Sequence, residues 1–233
     1  MRCLRYAVAG ALLALATSYA SSAAWAGAQQ YEALSASVQS ALSRSLADQA
    51  PSGTGFRDSL ESVAWLSDMS QRLERSIPDR DSRLEFLRAV HYEATRAGLD
   101  PQLVLGLIQV ESGFRKYAVS SAGARGFMQV MPFWIRLIGR EDDNLFHLRT
   151  NLRYGCTILR HYLDIEQGDL YRALGRYNGS LGQPEYPTLV RAAWQNRWEY
   201  PRSPLAGDTA GGSADTGGAL RSRIASQSLP TLR

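Results

Sequence analysis

The sequence predicts an all-α fold. Apolar residues recur every three or four positions in successive segments, which is the spacing of one face of a helix. Glycine and proline residues divide these segments into short helices. No segment shows sustained alternation of apolar and polar residues, or the enrichment in β-branched residues that favours strands. We therefore expect a fold built from short helices.

Two helices are predicted in the N-terminal third of the chain. Residues 30–47 carry an amphipathic stripe and are followed by a Pro-Ser-Gly-Thr-Gly linker at residues 51–55. A second stripe runs over residues 60–73. We expect residues 27–80 to form an N-terminal helical extension. It could pack on the rest of the protein, extend a groove or recruit a partner, and the sequence leaves these alternatives open.

The remaining helices follow from caps and stop signals. A third helix is expected to begin at an Asp81 cap and to end at Gly98. The pair Asp100 and Pro101 is a helix start, with aspartate as N-cap and proline at the first helical position, and this helix should continue to about Ser112. Further helices are expected at about 125–138, 150–166, 170–177 and 187–198.

The N-terminus has the pattern of a secretory signal peptide. Arg2 and Arg5 precede an apolar run over residues 7–16, and an Ala-Trp-Ala site follows. The alternative is a short membrane anchor, but the run is well below the roughly 20 residues that span a membrane. We expect residues 1–26 to be removed, which makes the mature protein periplasmic or otherwise exported and not membrane-spanning.

Composition limits the classes of function. The 233 residues, 45% of them hydrophobic, are enough for one globular core. The formal net charge of +4 suits an acidic polymer as partner, but the dense basic stripe of a nucleic-acid-binding protein is absent from the sequence. Residues 203–233 almost lack large apolar side chains, and we expect them to be a disordered tail.

The cysteines and histidines predict neither a nucleophile nor a metal site. Loss of the signal peptide would remove Cys3 and leave Cys156 alone, in an apolar helical stretch that favours a buried structural role. His91, His147 and His161 form no ligand pair of known spacing and offer no partner for a cysteine nucleophile. We expect no metal and no cofactor.

Glu111 is the candidate catalytic residue. It shares a helix face with Val104, Leu107 and Ile108, at positions i, i+3, i+4 and i+7. Burial against apolar neighbours and the negative end of the helix dipole both raise the pKa of a carboxyl group. A carboxylic acid that stays protonated near neutral pH can protonate the leaving oxygen of a glycoside. The alternative is a glutamate in the last helical turn that swings into solvent.

Three blocks of sequence strongly resemble the signature of the lysozyme-like soluble lytic transglycosylase (SLT) domain. The first contains Glu-Ser at 111–112, followed by a Ser-Ser-Ala-Gly-Ala turn and Gly-Phe-Met-Gln-Val-Met-Pro at 120–132. The second is Asn-Leu-Arg-Tyr-Gly at 151–155, and the third is Ala-Leu-Gly-Arg-Tyr-Asn-Gly at 173–179. The blocks occur in family order, and the resemblance covers roughly residues 85–180.

The resemblance implies a lysozyme-like SLT catalytic domain, which we expect at residues 81–202. It implies that Glu111 is the single catalytic acid and base. It also implies substrate-binding roles for five further residues: Ser120, Gln129, Met131, Tyr177 and Asn178. The sequence departs from the family pattern at Arg176, where alanine is usual, at Phe127, where leucine is usual, and at Ser180. Arg176 could alter the neighbouring subsite.

The implied activity is lytic cleavage of the β-1,4 bond between N-acetylmuramic acid and N-acetylglucosamine in peptidoglycan, with formation of a 1,6-anhydro end. A hydrolytic lysozyme would instead need a second carboxylate. Seven residues are candidates for that second carboxylate, although their positions are more typical of helix ends or turns. They are Glu141, Asp142, Asp143, Asp164, Glu166, Asp169 and Glu185. A third alternative is a non-catalytic peptidoglycan-binding or secretion-system assembly protein that docks an envelope partner through its N-terminal helices.

Overall fold

A computed structural model describes residues 29–47 and 60–200, and its regular structure is helical. The elements are α1 (Ala36–Ala47), α2 (Leu60–Leu73), α3 (Arg80–Arg96), α4 (Pro101–Ser112), α5 (Phe133–Ile138), α6 (Leu148–Ile165), α7 (Leu170–Asn178), α8 (Glu185–Ala193) and a π-helix (Trp194–Trp198). Within these ranges, β-structure is limited to two isolated bridges. The predicted all-α fold class is confirmed for these residues.

Helix α4 lies at the centre of the core. Residues 103–108 are all buried, and the helix packs against α3, α8 and the π-helix. Gly106 permits this close approach, because a Cβ atom there would lie 2.9 Å from the backbone nitrogen of Trp194. A second layer forms where α6 packs against α3 and α7.

The two N-terminal helices pack onto the rest of the described chain. Helix α1 contacts α5 and α6, and α2 contacts α3. Arg96 and Arg153 donate hydrogen bonds to the carbonyl oxygens of Ser45 and Leu46, at 2.5 and 3.2 Å. These carbonyls belong to the last turn of α1, where no helical partner is available. The arginines therefore anchor the C-terminal end of α1.

Several helix bounds differ from the sequence prediction. The cap of α3 is Asp79 and not Asp81, since the Asp79 side chain accepts the Ser82 amide at 2.8 Å. The helix predicted at 187–198 begins at Glu185, and its last five residues are the π-helix. Pro187 is the third residue of α8, within the first turn, where no intrahelical donor is lost.

The helix predicted at 125–138 was wrong over its first half, because only Phe133–Ile138 is helical. Gly126 and Gln129 have φ values of 75° and 48°, in the left-handed region that a right-handed helix cannot contain. The two isolated bridges instead pair Arg125 with Val119 and with Val130. Residues 125–130 therefore form turns and isolated bridges, although their apolar spacing is typical of a helix.

The predicted signal peptide, the linker at 51–55 and the predicted disordered tail lie outside the described residues. None of the helices within 29–47 and 60–200 is both long enough and apolar enough to cross a membrane.

Candidate active site

Glu111 lies in the last turn of α4, and local sequence fixes both ends of that helix. The Asp100 side chain accepts the Gln102 amide at 2.7 Å, and Pro101 is the first helical residue. At the other end Gly113 adopts the left-handed conformation, with φ of 55°. The predicted start and stop of α4 are therefore confirmed, and they determine where along the helix the carboxyl group projects.

The carboxyl group of Glu111 points into the core. The residue is 6% exposed, and Val104, Leu107 and Ile108 on the same face are fully buried. Burial raises the pKa of Glu111 to about 8, from an ordinary value of 4.5. In this structure the side chain does not swing into solvent, so the group carries a proton at neutral pH.

The Tyr186 hydroxyl donates a 2.5 Å hydrogen bond to Oε1 of Glu111. Tyr186 is itself buried, and burial followed by the charge of Glu111 raises the pKa of its hydroxyl well above the ordinary value. The phenol therefore keeps its proton and acts as a donor. This hydrogen bond lowers the pKa of Glu111, but it offsets only part of the larger effect of burial.

Tyr186 was missed from the sequence, because the helix that carries it was predicted to start at residue 187, two residues after its actual start at Glu185. A signal was present. Tyr186 and Val190 are four residues apart and both buried, so extending the apolar stripe by one turn includes the tyrosine. A buried tyrosine hydroxyl needs a hydrogen-bond partner, and that requirement points towards a polar group in the core.

Asn151 of α6 holds the loop at residues 118–132 in place. Its Oδ1 accepts the Met128 amide at 2.8 Å, and its Nδ2 donates to the carbonyl oxygens of Arg125 and Leu145, both at 2.9 Å. Asn151 is fully buried. The asparagine of the second sequence block thus binds the loop of the first block to the helical core.

Two predicted substrate residues, Ser120 and Gln129, are hydrogen-bonded within this loop. Gln129 is buried and donates from Nε2 to the Gly126 carbonyl at 2.9 Å. Ser120 Oγ accepts the Ala124 amide at 3.1 Å, so in the described chain it closes its own turn and is not hydrogen-bonded to Glu111. Their contacts with substrate remain predictions.

Tyr177 lies close to the candidate catalytic carboxyl. Its hydroxyl donates to the Met128 carbonyl at 2.7 Å, and the side chain is 1% exposed. Burial, and after it the charge of Glu111, raises the pKa of the Tyr177 hydroxyl. This tyrosine therefore joins the loop to the neighbourhood of Glu111.

Met131 and Asn178 border the same region. Met131 is half-buried and packs against the core. Asn178 is buried and its Nδ2 lies 3.1 Å from Ser180 Oγ, whereas its Oδ1 is a buried acceptor with no hydrogen-bond partner among the described residues. An unpaired buried acceptor is costly unless a ligand or water donates to it.

The other carboxylates that the sequence left open occupy helix ends and turns. Asp169 caps α7 by accepting the Arg172 amide at 3.0 Å. Asp142 forms an exposed ion pair with Arg140 at 3.1 Å. Glu185 is exposed in the first turn of α8. These positions agree with structural roles.

Three other residues that the sequence singled out have structural contacts. Phe127 is buried and its ring centroid lies 4.9 Å from that of Phe86, as expected of a core residue. Cys156 is fully buried, and burial raises the pKa of its thiol, which confirms the predicted structural role. Arg176 forms ion pairs with Glu166 and Glu32.

Residues 88–187 match the family model of the transglycosylase SLT domain. The match covers less than half of the chain. It contains Glu111, Tyr186 and all five predicted substrate residues.

Relatives of the SLT domain include phage and bacterial proteins. The chain is 32% identical over 109 residues to a transglycosylase of Enterobacteria phage PRD1, covering 47% of this chain and 40% of that protein. It is 46% identical over 116 residues to membrane-bound lytic murein transglycosylase C of Glaesserella parasuis, covering 42% of this chain and 31% of that protein. The chain thus spans less than half the length of these relatives.

Among solved structures, the chain is similar to an inactive mutant of lytic transglycosylase Slt from Pseudomonas aeruginosa. The sequence identity is 22% and the TM-score is 0.37, over 56% of this chain and 22% of that one.

Proposed function

We propose that this protein is a lytic transglycosylase that cleaves the glycan strands of peptidoglycan, with Glu111 as its single acid and base. The observation that carries the proposal is the Glu111 carboxyl group, buried within a matched SLT domain and held at a pKa of about 8. Within residues 29–47 and 60–200, the hydrogen-bond partner of this carboxyl group is Tyr186. A buried carboxyl group with a strongly shifted pKa is a candidate for proton transfer.

Glu111 acts first as an acid. Oε1 is bound by the Tyr186 hydroxyl, which leaves Oε2 to carry the proton towards the substrate. That proton passes to the glycosidic oxygen between N-acetylmuramic acid and N-acetylglucosamine as the bond to C1 breaks. The N-acetyl group of the muramic acid stabilises the positive charge that develops at C1, a substrate-assisted route.

Glu111 then acts as a base. The ionised carboxylate removes a proton from the C6 hydroxyl of the muramic acid, and O6 attacks C1 to give a 1,6-anhydro end. The proton that Glu111 donated is thereby replaced, and no water is consumed. The Tyr186 hydrogen bond favours the ionised carboxylate between the two steps, since hydrogen bonds to a charged form stabilise it.

The neighbouring residues supply binding groups. The unpaired Oδ1 of Asn178 is available to accept a hydrogen bond from a sugar hydroxyl or amide. Met131 and Gln129 line the proposed subsites from the loop, with Ser120 at the adjoining turn. Tyr177 contributes mainly by fixing the loop, because its hydroxyl is engaged by Met128.

We further propose that the enzyme acts in the cell envelope. Its substrate lies outside the cytoplasm, the N-terminal sequence has the pattern of an export signal, and one relative is named a membrane-bound murein transglycosylase.

The test is mass spectrometry of the soluble products released from peptidoglycan sacculi by the mature protein. We expect products lighter by one water (about 18 Da) than hydrated muropeptides. Glu111→Gln should lower their rate of formation about 10²–10⁴-fold, the usual contribution of a general acid. The matched control is Glu185→Gln, the same change at an exposed position beside Tyr186, which should retain activity.

Other products would contradict the mechanism. Hydrated reducing ends would indicate a hydrolytic lysozyme and a second carboxylate. No product that depends on Glu111 would favour the non-catalytic binding or assembly protein. Near-normal turnover by Glu111→Gln would remove this residue from the mechanism.

A further inference from the structure

A segment that precedes α1 packs between two edges that carry proposed glycan-binding residues. Residues 29–32, which we call the arm, precede the helix in a non-helical conformation. On one side the arm contacts residues 131–134, and on the other it contacts residues 176–179. These two edges carry Met131, Tyr177 and Asn178, three of the five residues proposed to bind glycan.

Gln29 forms the innermost contact of the arm. The residue is 3% exposed, and its Oε1 accepts hydrogen bonds from the Trp134 indole at 2.9 Å and from the Met131 amide at 3.2 Å. A primary amide group is thus buried beside a proposed substrate residue. The N-acetyl groups of the glycan present the same carbonyl acceptor, so they can compete for the same donors.

An ion pair between Glu32 and Arg176 connects the arm to the edge formed by residues 176–179. Their ion pair measures 3.1 Å, with the side chains 48% and 22% exposed. Arg176 is oriented from its other side by Glu166. Arg176 is also the position at which the sequence departs from the alanine usual in the family. The structure gives that arginine a partner within this chain.

The outer contacts of the arm are weak. Tyr31 packs edge-on against Phe133 at 5.7 Å between ring centroids but remains 64% exposed. Gln30 reaches the Gly179 carbonyl at 3.5 Å, the long limit of a hydrogen bond. Exposed ion pairs such as that of Glu32 also contribute little. Apart from the two hydrogen bonds that Gln29 accepts, the arm is therefore held by weak contacts.

We propose that the arm is autoinhibitory: residues 29–32 occupy part of the glycan site and must leave before a glycan strand binds. This inference rests on the proposed function. A tethered segment competes at a high effective concentration, and the apparent affinity for glycan falls by the fraction of molecules with an open site. Loss of any arm contact then raises glycan affinity, whereas loss of a purely structural contact does not.

The test is isothermal titration of a linear trimer of N-acetylglucosamine into Glu111→Gln protein, in which catalysis cannot consume the ligand. The Kd of the Glu111→Gln protein is compared with that of two double variants, which carry Gln29→Ala or Glu32→Gln in addition. We expect the Kd to fall about fivefold for Gln29→Ala, which loses buried hydrogen bonds. For Glu32→Gln, which breaks an exposed pair, we expect a fall of about two- to fivefold. The matched control is Glu141→Gln, at an exposed position away from the arm, which should leave the Kd unchanged.

An unchanged or higher Kd in either arm variant, or no detectable binding of the trimer, overturns the proposal. Glu32→Gln alters only a partly exposed side chain, so it keeps the test decisive if Gln29→Ala does not fold. With Glu111 intact, Glu32→Gln should also release product from sacculi faster than the wild type. If the wild type releases no product that depends on Glu111, the proposed function fails independently of the arm.

Discussion

Two of the glutamates that the structure describes, Glu93 and Glu111, are buried, and their partners differ in charge. Glu93, in α3, is fully buried and pairs with Arg96 at 2.8 Å and with Arg153 at 3.0 Å. Glu111, in α4, is buried to nearly the same extent, but its partner is the neutral hydroxyl of Tyr186.

The difference shows that burial alone does not determine what a carboxyl group does. Beside two guanidinium groups the carboxylate of Glu93 forms an ion pair, and the same arginines anchor the end of α1. No cation in the described part of the chain pairs with Glu111, which retains its proton, and a proton held near neutral pH can be transferred. One region therefore stabilises the fold, and the other is suited to chemistry.

The largest effect on the free energy of unfolding is expected from substitution of Glu93, which pairs with Arg96 and Arg153. Glu93→Gln keeps the volume of the side chain but leaves Arg96 and Arg153 without their carboxylate, with Arg96 only 6% exposed. Breaking a buried pair in this way costs about 3–5 kcal/mol. We expect urea denaturation to measure that loss in the free energy of unfolding, while activity per folded molecule stays at the wild-type level.

The control for that measurement is Asp142→Asn. It breaks an ion pair whose members are 80% and 74% exposed, and we expect no change in the unfolding midpoint. Equal losses from both variants would mean that the Glu93 cluster behaves as a surface pair, which would remove the contrast with Glu111.

The second effect is a dependence of stability on pH. The pKa of Glu111 is raised in the folded protein, so between pH 4.5 and about 8 the native state holds a proton that the unfolded chain releases. Stability from this group is therefore present below pH 4.5 and is lost as the pH rises to 8. Each pH unit in that interval costs ~1.4 kcal/mol.

Glu111→Gln cannot lose this proton, so its stability relative to the wild type should increase with pH. We expect the difference in unfolding free energy to grow between about pH 5 and about pH 8 and then to level off. Taking the difference between the two proteins cancels the titration of all other groups. A difference that is constant with pH would show that Glu111 titrates normally.

The smallest effect is expected from Tyr186→Phe. The hydrogen bond from Tyr186 lowers the pKa of Glu111, so its removal should raise that pKa further. We expect the alkaline limb of the kcat/KM profile to move to higher pH by up to about one unit, with a reduction in kcat of about tenfold.

Tyr154→Phe is the matched control. Tyr154 also donates a 2.5 Å hydrogen bond to a carboxylate, that of Asp143, and its loss should lower stability without moving the pH profile. A profile unaltered in Tyr186→Phe would assign this tyrosine a packing role alone.

The sequence predicted those parts of the site that depend on neighbouring residues. The start and end of α4 followed from local residues such as Asp100 and Pro101, and the spacing of Glu111 to three aliphatic residues gave its burial as one of two alternatives. Such signals are local, because caps and helix faces involve residues within two turns of one another.

The parts that were missed depend on contacts between distant segments. Tyr186 is 75 residues from Glu111, and Gln29 is 105 residues from Trp134. No periodicity connects such positions, because the packing of whole helices brings them together. Likewise, Gln129 adopts a left-handed conformation within an apolar stretch, and the helical pattern gave no indication of it.

The burial of Cys156 makes selective labelling of the arm practicable. Cys156 has no exposed surface, and burial raises the pKa of its thiol, so it holds little of the thiolate that reacts with maleimides. In protein prepared without residues 1–26, and so without Cys3, a fluorophore could therefore be attached at Ala33→Cys, an exposed position beside the arm, with little background from Cys156. Its emission would report departure of the arm in real time as glycan is added.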